Sequence, residues 1–169
     1  MSVPAARISI SESISAEYLP DAYLDTFTKF YPDFDEWFTM KVVPNLGTTR
    51  KIFLAQIDKN VSGICIIKNS EFEKKICSLR VFESYRRQGV GTALIKHAIV
   101  ALEDSHPLIT VPEESLAMYK PLFNKFHFHL RGIYASYYRT GKKEYAFNGS
   151  LKPQIKSYEN SAISALQLL

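Results

Sequence analysis

The sequence predicts an α/β fold: a mixed, mostly antiparallel central sheet flanked by about four helices. Three observations carry this reading. Residues 50–82 hold three apolar segments of strand length separated by short polar turns, the pattern of an antiparallel meander. The chain then passes through a basic, glycine-containing loop into Val90, Leu94, Ala98 and Leu102, which recur at helical spacing. A further apolar run at 107–111 completes a strand–helix–strand step, whose two strands are expected to lie parallel.

Taken in order, residues 6–10 form a first strand with Ile8 and Ile10 on one face. Ser15 is placed to cap a helix start ahead of Ala16 and Glu17. Leu24, Phe27 and Phe30 give a helix over 18–30, with Pro20 early enough to be tolerated. Tyr31-Pro32 ends it, because the residue before proline is driven out of the helical region. Asp33 is placed to cap a second helix to about Val43, with Phe34, Trp37, Phe38 and Lys41 on one face, and Pro44, Asn45 and Gly47 stop it.

Residues 50–57 carry apolar side chains on both faces, so that strand is covered on both. Strands over 61–68 and 75–82 follow, then the helix over 88–103 and the strand over 107–111. Pro112 and Glu113 open another helix, with Leu116, Tyr119 and Leu122 or Phe123 at helical spacing. Pro121 inside it either kinks the helix or restarts it. Two aromatic-rich strands, 128–139 and 143–148, flank the turn Thr140-Gly141-Lys142. Residues 1–150 are expected to form a single domain, and 151–169 a tail or short surface helix.

The loop at 85–92, Tyr-Arg-Arg-Gln-Gly-Val-Gly-Thr, bears the chemistry. A loop leading into a helix aims several backbone N–H groups at one point, where the helix adds its own partial positive charge. Gly89 and Gly91 lack Cβ, which lets a bulky anion approach the backbone, and Arg86 and Arg87 add two charges. The loop is not Gly-x-x-x-x-Gly-Lys-Ser/Thr, and it lacks the third glycine of Gly-x-Gly-x-x-Gly, so neither of those nucleotide loops applies.

The pattern Arg86-x-x-Gly89-x-Gly91, behind a strand ending Leu79-Arg80-Val81, resembles the acyl-CoA pyrophosphate motif of the GNAT superfamily of N-acyltransferases. The whole run LRVFESYRRQGVGTALIKHAI resembles that family's strand 4, loop and helix 3 without a gap, and the order of elements agrees over about 50–148. The resemblance implies acetyl-CoA as co-substrate and a primary amine of a small molecule or protein as acceptor; the residues themselves lead us to expect no metal. It implies that Arg86, Arg87, Gln88, Gly89, Val90, Gly91 and Thr92 hold the pyrophosphate. It further implies that the strand before the loop bulges, so that Leu79, Arg80 and Val81 offer backbone N–H groups to the acyl carbonyl and the pantetheine arm.

Acyl transfer to an amine needs a neutral nitrogen, a stabilised oxyanion and a protonated leaving thiolate. In the family a tyrosine in a pattern like Tyr-x-x-x-Gly-Phe supplies that last proton. Here one register places Phe123 at the tyrosine and His127 at the glycine, and a second uses Tyr119 one turn earlier. Tyr119 is the expected catalytic acid. Glu73 and Glu83 flank the strand before the loop and are first of all solvated carboxylates. Lys96, His97, Lys142 and Lys143 read as solvated positions, and His127 and His129 lack the third ligand a metal site requires. Trp37, Phe38, Tyr134 and Tyr138 are expected to wall the acceptor cleft, between the first two helices and the last hairpin.

A formal charge of +4 and a pI near 9.0 suit an anionic ligand. They leave room for one rival, a toxin-like acetyltransferase acting on aminoacyl-tRNA, and the departure from the family's tyrosine pattern leaves room for another, a non-catalytic acyl-CoA binding or sensing module. Cys65 and Cys77 form no Cys-x-x-Cys motif, and the first fifteen residues have no signal-peptide pattern. The expected setting is the cytoplasm, with free thiols, no membrane partner, and a monomer or homodimer.

Overall fold

Strands β2 (Arg50–Ile57), β3 (Asn60–Asn69) and β4 (Lys74–Val81) form the expected meander, in a computed structural model that describes residues 7–154. β1 (Ile8–Ser13) pairs antiparallel with β2. β5 (Leu108–Pro112), β6 (Leu130–Ala135) and β7 (Lys143–Phe147) complete one sheet in the order β1-β2-β3-β4-β5-β7-β6. Among the described strands only β4 and β5 run parallel, as the strand–helix–strand step requires.

Helices α3 (Val90–Leu102) and α4 (Leu116–Lys125) cover one face of the sheet. Leu94, Ile95, Ala98, Leu102 and Phe123 pack there on Phe53, Cys65, Ile76 and Ile109. Helices α1 (Asp21–Thr28) and α2 (Phe34–Trp37) cover the other, placing Phe27, Phe34 and Phe38 against Ile52, Ile64 and Ile66. β2 and β3 are therefore buried on both sides, as their apolar runs require.

Several boundaries differ from the sequence reading. β1 starts two residues later than residue 6 and runs on to Ser13, because polar Ser11, Glu12 and Ser13 still pair with β2. The first long helix divides at Pro20, with a 3-10 turn over Ala16–Tyr18 and α1 beginning at Asp21. Ser15 caps that turn as expected, its hydroxyl accepting from the Glu17 N–H at 3.2 Å. Asp33 holds the position before α2, but its side chain makes no cap bond. α2 widens after one turn into a π-helical segment over Phe38–Val42 and closes in a 3-10 turn over Val43–Asn45. β6 stops at Ala135, since Ser136 turns left-handed (φ 56°). Of the expected tail, residues 155–169 lie outside the described residues. Leu151 stays on the domain, buried against Leu108 and Ala146.

Pro121 neither restarts α4 nor ends it: the helix runs through it, with the proline exposed. α4 ends in a Schellman arrangement. Phe128 N–H bonds Phe123 O at 3.0 Å, His127 N–H bonds Asn124 O at 3.1 Å, and the Phe123 and Phe128 rings pack at 5.7 Å. His127 is left-handed (φ 55°), a conformation glycine adopts without penalty. His127→Gly is therefore expected to raise stability by up to about 1 kcal/mol, read as a higher denaturation midpoint at unchanged slope.

Candidate functional site

β4 and β5 pair only at Lys75↔Leu108 and Ile76↔Ile109, then diverge. Just there the β3–β4 register slips, Ile66 facing Ser78 while Ile67 faces Ile76, so Cys77 is an extra residue. The bulge turns Cys77 and Ser78 in succession toward the α1/α2 side and resets the strand beyond them. From there Phe82 N–H bonds back to Ser62 O on β3 at 2.9 Å. By alternation, Arg80 also turns its backbone to β3, while Leu79 and Val81 turn theirs into the gap between β4 and β5. Tyr119 confirms the direction at Leu79, its hydroxyl donating to Leu79 O at 2.6 Å. The gap encloses a small cavity of about 30 Å³, lined by β4, β5, Phe30, Tyr31 and Tyr119.

At one end of this open strand lies the loop 86–92. Arg87 (φ 60°) and Gly89 (φ 87°) both adopt the left-handed conformation, which curls the chain into the start of α3. Gly89 stands at the N-cap without a side chain to satisfy the first-turn N–H groups, and its carbonyl accepts from Ala93 N–H at 3.0 Å. Arg86, Arg87, Gln88 and Gly89 are exposed, with the Gln88 amide donating to Ser84 O at 3.1 Å. Val90 is buried under α3. Gly91 is small for a reason the sequence did not disclose. A Cβ there would stand 3.0 Å from Leu122, so its absence lets α3 and α4 close together. Thr92 is half-buried and accepts from Lys125 Nζ at 3.4 Å, which places a further cation of α4 beside the loop.

Tyr119 is buried, stacked on Phe123 at 5.7 Å, with its hydroxyl at the gap. Burial pushes its pKa up, against the pull of the Arg80 and Arg86 charges, so the proton is retained at neutral pH. The end of α4 settles the backbone register: His127 takes the left-handed position, so Phe123, fully buried and without a hydroxyl, falls four residues before it. Arg80 extends to the other side of the sheet, its guanidinium 5.3 Å from the Phe30 ring.

At the other end lies a cavity of about 340 Å³, walled by Tyr31, Trp37, Tyr137 and Tyr138 and floored by Arg50, Lys75, Cys77 and Thr110. It falls between the first two helices and the last hairpin. Trp37 and Tyr138 line it as expected, whereas Phe38 is core and Tyr134 spends its hydroxyl on Leu151 N–H at 3.0 Å. The hairpin loop that carries Tyr137 and Tyr138 is fastened to the start of α4 by Arg139, whose guanidinium bonds both oxygens of Glu114 at 2.9 and 2.6 Å. That bond holds the Glu114 carboxyl down to about 2.

Tyr31 lines both the cavity and the gap, and its hydroxyl donates to the Glu144 carboxylate at 2.8 Å. Glu144 on β7 is 4% exposed. Burial raises its carboxyl above the ordinary range, although the Thr110 and Tyr31 hydroxyls pull the other way. Burial, and then the Glu144 charge, raises Tyr31 well above an ordinary phenol. Glu73 also lines the cavity. Partial burial raises its carboxyl, but the Lys68 hydrogen bond at 2.9 Å and charge lower it further. Glu83 is exposed beyond the end of β4.

The sequence reading missed Tyr31, Arg50, Lys75, Lys125 and Glu144. Arg50 carried a signal, a cation in the alternation that continues through Ile52 and Leu54 on the α1/α2 face. Glu144 carried none, because it stands second in the expected strand 143–148, beside the solvated pair Lys142 and Lys143.

Several solved structures share this architecture. A GNAT family acetyltransferase from Elizabethkingia anophelis with acetyl-CoA bound superposes with a TM-score of 0.65 at 17% identity, covering 83% of this chain and 95% of its own. The ribosomal-protein-S18-alanine N-acetyltransferase from Escherichia coli gives 0.64 at 21% identity, covering 89% and 99%. The IAA acetyltransferase from Bacillus cereus gives 0.65 at 15% identity, covering 83% and 97%. No curated protein matches the chain in sequence. The sequence profile of the Acetyltransferase (GNAT) family, however, matches residues 11–128, a span that holds the bulged strand, the loop and α4. The chain therefore belongs to the GNAT acetyltransferase family.

Proposed function

We propose that this protein is an N-acetyltransferase that moves the acetyl group of acetyl-CoA to the nitrogen of a small primary amine, with residues 1–150 as its single domain. One observation carries the proposal: the unpaired stretch of β4 opens at one end on an anion-binding loop and at the other on a walled cavity. An acetyl-CoA-bound relative of the same fold supports the choice of co-substrate. A cavity of about 340 Å³ supports a small acceptor over a tRNA, whose recognition needs a broad basic surface.

In this reading the pyrophosphate sits on the N–H groups and arginines of residues 86–92, with Lys125 at its flank. The pantetheine arm lies along Leu79–Val81 as a partial extra strand, and a free N–H of that stretch polarises the thioester carbonyl. The amine enters from the aromatic cavity. As its nitrogen bonds the carbonyl carbon, it passes a proton to Tyr31 Oη while the Tyr31 proton moves to Glu144. Tyr31 is too weak an acid to serve as tyrosinate, so the carboxylate is the terminal base. The C–S bond then breaks, and the thiolate takes the Tyr119 proton and leaves as CoA thiol.

Release of CoA thiol from acetyl-CoA across a panel of primary amines tests the activity. Amine-independent binding without turnover would leave only the non-catalytic module. Glu144→Gln keeps an acceptor for Tyr31 but removes the base, and should lower turnover by about 10²–10⁴-fold. In wild type, activity should rise with pH as Glu144 ionises, from a midpoint above the ordinary carboxylate range, and this limb should vanish in the variant. Because the folded state favours protonated Glu144, its ionised form opposes folding once pH exceeds the unfolded pKa. Glu144→Gln should therefore keep or raise the melting temperature, which separates loss of chemistry from loss of fold.

A further inference from the structure

Arg50 is 9% exposed, and it borders the acceptor cavity. Among the described residues its guanidinium makes one hydrogen bond, to Cys77 Sγ at 2.9 Å, and sulfur is a weak acceptor for one of five donors. The guanidinium also lies over the Trp37 ring, 5.5 Å from its centre. Lys75 lines the same floor, half-buried. No carboxylate of the described residues lies within 4.0 Å of either cation. The anions nearby are otherwise engaged or distant: Glu73 is held by Lys68, Glu144 by Tyr31, and Asp33 is exposed on the rim. A buried guanidinium without a carboxylate is unfavourable unless an anion joins it, and its planar fork matches a carboxylate in two-point contact.

We propose that Arg50 and Lys75 form a carboxylate subsite in the acceptor cavity, so that the acceptor is an amino acid with an aromatic or large apolar side chain. The amine half of this proposal rests on the acetyltransferase reading; the carboxylate half does not. Cys77, which Arg50 bonds, lines both the cavity and the β4–β5 gap. A carboxylate on Arg50 therefore lies on the side of the cavity that adjoins the gap, which suits an acceptor whose carboxylate and amine are close together, as in an α-amino acid. Tyr31, Trp37 and Tyr138 supply flat walls for the side chain.

The test uses three probes: phenylalanine, phenethylamine, which lacks the carboxylate, and 3-phenylpropionate, which lacks the amine. Binding of 3-phenylpropionate is measured by calorimetry on wild type, Lys75→Gln and Arg50→Gln, with melting temperatures as a fold check. It should bind wild type and bind Lys75→Gln about tenfold more weakly, the loss expected for a hydrogen bond to a charged group. Phenylalanine should be acetylated with at least about tenfold higher kcat/KM than phenethylamine, a preference that Lys75→Gln should erase through KM. No binding of 3-phenylpropionate to folded wild type, or equal binding to wild type and Lys75→Gln, overturns the subsite whatever the turnover. Binding that depends on Lys75 without acetylation of any amine upholds the subsite and overturns the acetyltransferase reading alone.

Discussion

Gly89→Glu abolishes the stabilisation that acetyl-CoA confers on the wild-type protein. At a hundredfold excess over its dissociation constant, a ligand that binds only the folded state adds about 2.7 kcal/mol. For a chain of this size that corresponds to a rise in melting temperature of about 5–10 °C. Gly89 is left-handed (φ 87°) and sits where the first-turn N–H groups of α3 are free. A carboxylate placed there repels phosphate and occupies its position. The fold should survive, because a Cβ at Gly89 meets only Ile8, at 3.6 Å, and the left-handed conformation costs about 1–2 kcal/mol for a residue with a side chain. Gly89→Ala, carrying the same backbone penalty without the charge, separates the two effects and should retain part of the shift. An unchanged wild-type melting temperature at saturating acetyl-CoA would sink the assignment of this loop.

Tyr119→Phe lowers turnover by about 10²–10⁴-fold while CoA affinity barely changes, if Tyr119 protonates the departing thiolate. Its hydroxyl rests on the carbonyl of Leu79, one of the two residues whose backbone faces the gap, so its proton is held beside the path of the thioester. The substitution keeps the ring on Phe123 and removes one hydrogen bond, a loss of about 0.5–1.5 kcal/mol. That modest drop in stability is expected on either account and does not discriminate. Turnover does: an unchanged value would mean that the thiolate departs without help from Tyr119, as a purely structural tyrosine would allow.

The two halves of the site differed in how far they could be read in advance. The loop 86–92 was legible because its parts are contiguous: a glycine at the turn, arginines beside it and an apolar helix after it. β2 was legible because alternation on two covered faces leaves little freedom of register. That this strand bulges was implied by the resemblance, but the place of the bulge at Cys77 was not legible, since one extra residue in an apolar run looks like any other. The π-helical widening of α2 was likewise hidden, because Phe34, Trp37 and Phe38 fit an ordinary helix equally well. The acceptor cavity was least legible. Tyr31 meets Glu144 across 113 residues, and only the path of β7 between β5 and β6 brings them together. Phe38 and Tyr134 were expected to line that cavity because they are aromatic, yet the one is core and the other anchors Leu151.

The divergence of β4 from β5 also divides the molecule mechanically. Apart from local bulges, the hydrogen-bond ladder runs through β1 to β4 and again through β5, β7 and β6, but only two residue pairs join the halves. What else crosses the seam is side-chain packing from α3 and α4, the bond from Tyr119 to Leu79 and, on the other face, the bond from Tyr31 to Glu144. The sheet is thus pinched to a narrow hinge between its halves, which one core, shared with α3 and α4, still holds together. In the proposed reading, a pantetheine arm laid along Leu79–Val81 would fill the missing rungs and act as a temporary rivet between the two halves.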